Sequence, residues 1–410
     1  MRLTIVLAAL VIGAPLCACL NDRDSRARSQ QRHDERNTNP DEGFPDIRDV
    51  VTGRFDRFPS AFYQRRIELS QERIAANPGD FEAYDDMAVA YDRIGDDDKA
   101  VEVIERKRAA LDARKKTTPS DEWKEHDYAY FANLGTFVAH RWFKQGAKTE
   151  RIDEMKRGRD LIARAIAIKP DAHFGREKYQ LMAMDWILSG PRFDGEELPS
   201  LLNLPAAIIR NGKPWGDQTG KNAREVAIGL AGLIVLGAAW ESIDVTYSLA
   251  TMLWVQGEED DACLAILRCA ELAGMGRKSI AAGAPTGAAL EKLLMAALPV
   301  EGVRGKLASE FKDARVRADD WVKRRNEYLL AKMAAGLHPD TDKNFWLEFY
   351  GGGGWVPNVL TNPFTMPALA LPMVVLLGGL GLYWLQQRRK RRAAPPPPPK
   401  KRVPLSYLPD

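Results

Sequence analysis

From Phe62 to about Leu337, apolar side chains recur at spacings of three and four residues with few β-branched alternations. That period predicts helices throughout and no sheet. KKTTPSDEW (115–123) predicts a helix start, with Thr118 as N-cap, Pro119 at the first position and Asp121 at the third. The stretches GPRFDGEELPSLLNLP and RNGKPWGDQTG, between 190 and 220, read as Pro/Gly-punctuated loops or short turns. VAIGLAGLIVLGAAW (226–240) is apolar on every side. Glu241 and Asp244 follow it rather than a basic flank, so it reads as a fully buried helix and not as a second membrane span.

The ends break this pattern. MRLTIVLAALVIGAPLCAC (1–19) has one Arg and an apolar run from Leu3 to Leu16, the order of an export signal. Residues 20–59 are polar and charged and read as a disordered tether. Residues 341–365, with GGGGW, read as a flexible juxtamembrane connector. Met366 to Leu385 is twenty residues without a charge, long enough to cross a bilayer, with Tyr383 and Trp384 near its end. RRKRR follows at once, which predicts that the basic, Pro-rich tail (386–410) is cytoplasmic and the helical domain (60–340) lies outside the membrane.

Within the helical domain the sequence echoes itself. YDRIGDDDKAVEVI (91–104) is matched by LWVQGEEDDACLAI (253–266). In each, a large residue is followed four positions later by Gly, then by acids, Ala and an aliphatic residue. The packing positions of the first copy are Tyr84, Ala88, Tyr91, Gly95 and Ala100; those of the second are Leu249, Ala250, Gly257 and Ala262. A divergent third copy, with an insertion around GAKTERIDEMK, uses Leu134 and Gly135 in its first helix and Ala165 and Pro170 in its second. Small residues let two helices approach, and Gly closes the turn between them. These residues resemble the tetratricopeptide repeat, a 34-residue helix-turn-helix unit, with repeats near 81–114, 128–170 and 243–276. The resemblance implies an all-α body of stacked helix pairs, an α-solenoid whose extended face takes protein partners. Leu16-Cys17-Ala18-Cys19 likewise resembles a bacterial lipoprotein signal, which implies lipidation of Cys19; cleavage after Ala18 without a lipid stays open.

Charge supports this organisation. The chain carries +3 overall, but the tail from Gln386 holds +7 and the remainder −4, which speaks for membrane topology and against a nucleic-acid-binding fold. Cys263 and Cys269 lie six apart on one predicted helix, about 120° around its axis, so they cannot bridge and read as small buried hydrophobes.

Candidate chemistry is sparse. Asp96, Asp97 and Asp98, like Glu258 to Asp261, fall where acids cap a helix start, and are read as its solvated side. Neither group has the alternating ligands of a calcium loop. The five histidines form no HExxH or other short-spaced metal pair; His126 beside Asp127 reads as an exposed polar turn. GxSxG, Walker-type and GxGxxG patterns are missing, and Trp123, Trp142, Trp186, Trp240 and Trp254 read as core. The sequence therefore points to no catalytic residue, cofactor or metal. It leads to the expectation of a membrane-anchored, extracytoplasmic scaffold binding other proteins in a cell-envelope assembly. A helical enzyme with an unrecognised site, or an accessory subunit of an envelope transport or secretion system, are the alternatives.

Overall fold

A computed structural model describes residues 20–27, 44–118, 120–170, 172–204, 223–298 and 301–350. The predicted leader, Cys19, the predicted span at 366–385 and the basic tail lie outside the described residues. What is described is all-α; apart from one isolated bridge between Arg192 and Ala282 it contains no β pairing. No described helix is long and apolar enough to cross a membrane.

The helices are α1 (Ile47–Thr52), α2 (Ser60–Ala76), α3 (Phe81–Arg93), α4 (Asp97–Thr117), α5 (Trp123–Lys144), α6 (Ile152–Ile168) and α7 (Arg176–Leu188). They continue as α8 (Ala223–Val235), α9 (Ile243–Val255), α10 (Glu259–Gly274), α11 (Ala288–Ala296), α12 (Glu301–Ala334) and the short α13 (Leu347–Tyr350). Most pack against the helix before and after them in sequence, α5 on α6, α9 on α10 and α3 on α4 above all. Two helices depart from this: α1 packs on α8 and α10, and the long α12 turns back onto α10, α1 and α2. One apolar core lies among α2 to α6 and includes Leu20; a larger one joins α1 to α7–α11.

The echoed glycines do the same work in both places. Gly95 and Gly257 have φ of +92° and +84°, where a side chain would be strained. Each ends its helix with the same two bonds: Asp96 N–H to Tyr91 C=O and Gly95 N–H to Asp92 C=O in one, Glu258 N–H to Leu253 C=O and Gly257 N–H to Trp254 C=O in the other. Tyr84, Ala88, Ala100, Leu134, Ala165, Leu249, Ala250 and Ala262 are all buried. Tyr91 is half-buried, and Pro170 sits exposed in the turn beyond α6.

Gly135 and Gly158 mark a close helix crossing. A Cβ built there would lie 2.9 Å from the Gly158 carbonyl oxygen, and one at Gly158 would lie 2.8 Å from the Gly135 oxygen. Backbone meets backbone, so neither side can yield by a rotamer change. Gly305 in α12 has nothing within 4 Å of that position. The same substitution should therefore act with opposite signs. Gly158→Ala is expected to destabilise by about 1–3 kcal/mol through overpacking, and Gly305→Ala to stabilise by about 0.5–1 kcal/mol through helix propensity. Urea midpoints of the two variants falling on the same side of wild type would contradict this.

Several sequence expectations are corrected. The predicted tether is not uniformly loose: Val50, Val51 and Phe55 enter the larger core, and Leu20, Asn21, Asp22 and Ser25 are buried. Composition misled because polar residues are held there by ion pairs rather than by apolar packing. The start of the predicted connector is also packed, with Phe345 buried edge-on to Tyr328. Thr118 is the C-cap of α4, not an N-cap; it takes the extended conformation a residue before proline favours (φ −143°, ψ 97°), and α5 begins only at Trp123. The apolar run 226–240 forms buried α8 followed by a 3-10 turn at Ala239–Glu241, and Cys263 and Cys269 are buried and unbridged, both as expected.

Candidate peptide groove

α3 presents more than an apolar face. Its residues Glu82, Asp85, Asp86 and Asp92 all carry carboxylates, yet Asp85 and Asp86 are each 1 % exposed. Both are held from within the body. Lys107 on α4 reaches both oxygens of Asp85 at 2.7 Å, and Arg73 on α2 reaches Asp86 at 3.1 Å while forking onto Asp80, the N-cap of α3. Burial pushes the Asp85 carboxyl up despite Lys107, and pushes the Lys107 amine down despite Asp85. The pair is thus strongly desolvated.

Along α5, Asn133, Thr136 and His140 form a buried polar stripe at three- and four-residue spacing. Thr136 accepts from Gln180 of α7 at 3.0 Å, and His140 Nδ1 meets Asp92 at 2.7 Å. One helical turn before Asn133, Tyr128 donates to Glu177 of α7 at 2.5 Å; burial, then Glu177, raises its phenol well above the usual range.

Against these walls lies residues 20–27 of the same chain. The Asn133 amide clasps the backbone of Asn21 on both sides: its oxygen accepts the Asn21 N–H at 2.7 Å and its nitrogen donates to the Asn21 C=O at 3.0 Å. Arg176 of α7 donates to the Leu20 C=O at 3.1 Å. Residues 23–27 then make a helical turn that Asp22 caps, accepting from the Ser25 N–H and hydroxyl. Arg23 places its backbone N–H and its Nε on the two oxygens of Asp86, at 2.9 and 3.0 Å. Arg26 lies 3.6–3.8 Å from Asp86, Asp85 and Glu82.

The opposite charges of the segment face the other wall. Arg66 of α2, 1 % exposed, pairs with Asp24 at 2.8 Å, Asp22 at 3.3 Å and Asp340 at 2.7 Å. Burial works against its charge, but Asp24 and Asp340 outweigh it and hold the guanidinium well above its ordinary value. The Asp340 backbone oxygen also accepts from Arg23 Nη1 at 2.8 Å, so the chain after α12 closes the site. A cavity of about 300 Å³ adjoins the segment at Asp22, Asp24 and Ser25, between Tyr63, Arg93 and Trp240.

This arrangement suits the recognition of a polypeptide. Side-chain amides read backbone, and paired charges read alternating side chains. No group of His, Cys, Asp or Glu that could hold a metal ion occurs among the described residues.

The sequence-based packing residues are not brought together here: most are buried along the helices, Gly95, Gly257 and Pro170 lie in turns, and Cys19 is outside the described residues. The acids at the start of α4 divide. Asp96 accepts the Lys99 N–H as N-cap and Asp98 is exposed beside Arg141, as expected. Asp97 is buried against Lys144 at 2.5 Å, and burial, then Asp92, raises it to about 6, so the solvated reading fails for this residue. The second acidic group is nearer the surface, where Arg48 of α1 meets Asp261 at 2.8 Å. His126 is not an exposed turn either; it lies within α5 against Phe81 and near Trp123, and burial lowers it to about 4. Trp142 and Trp186 are core; Trp240 is half-buried, with the Arg268 guanidinium 3.7 Å over its ring.

No family model, curated protein or solved structure matches the chain.

Proposed function

We propose that the chain is a membrane-anchored, extracytoplasmic scaffold of tetratricopeptide type that binds a protein partner in a cell-envelope assembly. The observation that carries this reading is the groove of α3, α5 and α7, which already holds an eight-residue stretch of polypeptide by its backbone and its charges. The Gly-closed turns after α3 and α9, with small residues buried at matching places, support the repeat reading. The uncharged run at 366–385 and the arginines after it support the anchor, with the tail cytoplasmic and the body on the other side. Lipidation at Cys19 gives the amino end a second attachment.

A photo-crosslinking side chain at Glu82, which is exposed at the rim of the groove beside Arg26, tests the function in native membranes. It should yield an adduct with a second protein, and adducts confined to this chain would count against a scaffold. In the same membranes, protease added from outside should digest the body and spare a tag placed after Asp410. Loss of the tag would reverse the topology.

A further inference from the structure

We propose, building on the scaffold reading, that residues 20–27 are a resident ligand of the groove, displaced when a partner supplies a segment of the same chemistry. That chemistry is read from the contacts: an asparagine-type position whose backbone Asn133 clasps, acids in the places of Asp22 and Asp24 for Arg66, and arginines in the places of Arg23 and Arg26 for Asp86, Asp85 and Glu82. The partner segment thus reads Asn-acid-Arg-acid-x-Arg, as Asn21 to Arg26 do.

Three observations separate a resident ligand from a structural part. First, the walls do not need the segment. Asp85 keeps Lys107, Asp86 keeps Arg73, Tyr128 keeps Glu177, Arg66 keeps Asp340, and Asn133 keeps a bond to Asp85 at 3.1 Å. Arg176 loses the Leu20 carbonyl but stays 3.7 Å from Glu177, so departure would leave a groove of charges that each keep an opposite charge, to be filled by water.

Second, the segment is held by polar contacts rather than by core packing. Leu20 is its one residue in an apolar core, whereas Arg23 and Arg26 keep 29 % and 23 % of their side chains in solvent. Water and salt compete with the outer contacts of these two arginines. Third, sixteen residues of chain (28–43) separate the segment from the body's next described residue. A segment joined to its own groove by chain of that length competes with a free partner as an intramolecular ligand.

The probe is a fluorescent peptide of the sequence Leu20 to Ala27, titrated by polarisation into the full chain in detergent micelles. The double variant Arg23→Glu/Arg26→Glu turns the resident segment against the acidic wall. The peptide should bind this variant at least tenfold more tightly than wild type, and adding Asn133→Ala should weaken that binding at least tenfold. Equal affinity for wild type and double variant overturns the proposal, as does no binding to a double variant whose unfolding midpoint matches wild type.

Hydrogen exchange on wild type decides the matter should the double variant not fold. The Asn21, Arg23, Ser25 and Arg26 amides, each bonded within the site, should exchange at least tenfold faster than those of Tyr128 to His140, and faster still with excess peptide. Exchange in step with α5 overturns the proposal. Failure here with the Glu82 adduct intact leaves the scaffold reading standing. Peptide exchange without any partner adduct removes that reading and keeps the groove.

Discussion

Lys107→Met lowers the stability of the full chain by about 3–5 kcal/mol, because it strands the Asp85 carboxylate where water cannot reach it. Lys107 is fully buried and Asp85 is 1 % exposed, and both carboxylate oxygens are engaged by the one amine. Arg26 at 3.8 Å is too far and too wet to replace it, and the Asn133 amide supplies a single neutral donor. Asp85→Asn added to Lys107→Met removes the stranded charge and keeps an acceptor for Asn133, so the double variant should regain most of the loss. Urea unfolding in micelles, followed by circular dichroism, measures all three proteins. A single variant within about 1 kcal/mol of wild type, or a double variant no better than the single, contradicts the pairing.

The second large effect is one of pH. Asp244 on α9 is buried, with no ion pair among the described residues; it accepts from the Ser279 hydroxyl and, at 3.1 Å, from the Ile280 N–H. Burial raises its carboxyl to about 6. The folded state therefore holds this proton more tightly than the unfolded chain, where an aspartate titrates near 3.9. Its stabilising effect is full below about pH 4 and is lost as pH rises through about 6, a swing of roughly 3 kcal/mol for a shift of about two units. Asp244→Asn has no such step and can still accept from Ile280. Across pH 4 to 7.5, its stability should gain on wild type by that amount; comparing the two cancels the other titrating groups. A gap that stays flat across this range would show that Asp244 ionises in the folded state as it does in water.

The helical body was legible from the sequence because its evidence is periodic. Apolar spacing placed the helices, and a glycine followed by acids and alanine placed two matching turns, since a left-handed residue and a close helix seam admit few other residues. The groove was legible only in part, and for a physical reason. Asp85, Val89 and Asp92 share one face of α3, and Asn133, Thr136 and His140 share one face of α5. A polar stripe of that spacing, running beside apolar neighbours, was the available signal. Its surroundings were not visible, because Lys107 reaches Asp85 from 22 residues away and the Arg66–Asp340 pair that closes the site spans 274. The start of the chain misled for the opposite reason. Asn-Asp-Arg-Asp-Ser-Arg has the composition of a solvated tether, and only a groove with complementary charges turns it into a packed segment.

The burial of Leu20 also sets an order of events in the life of the molecule. It is 0 % exposed and Asn21 is 1 % exposed, and both follow directly on Cys19, the residue that the proposed leader cleavage would make the new amino end. An endopeptidase must draw several residues on either side of its target bond into its own cleft, and a backbone clasped by Asn133 and Arg176 cannot be in two clefts at once. On the proposed topology, leader removal comes before docking, so the groove is empty when the leader is cut. Displacement by a partner would expose the same backbone again, so the groove guards residues 20–27 from proteases only while they are seated.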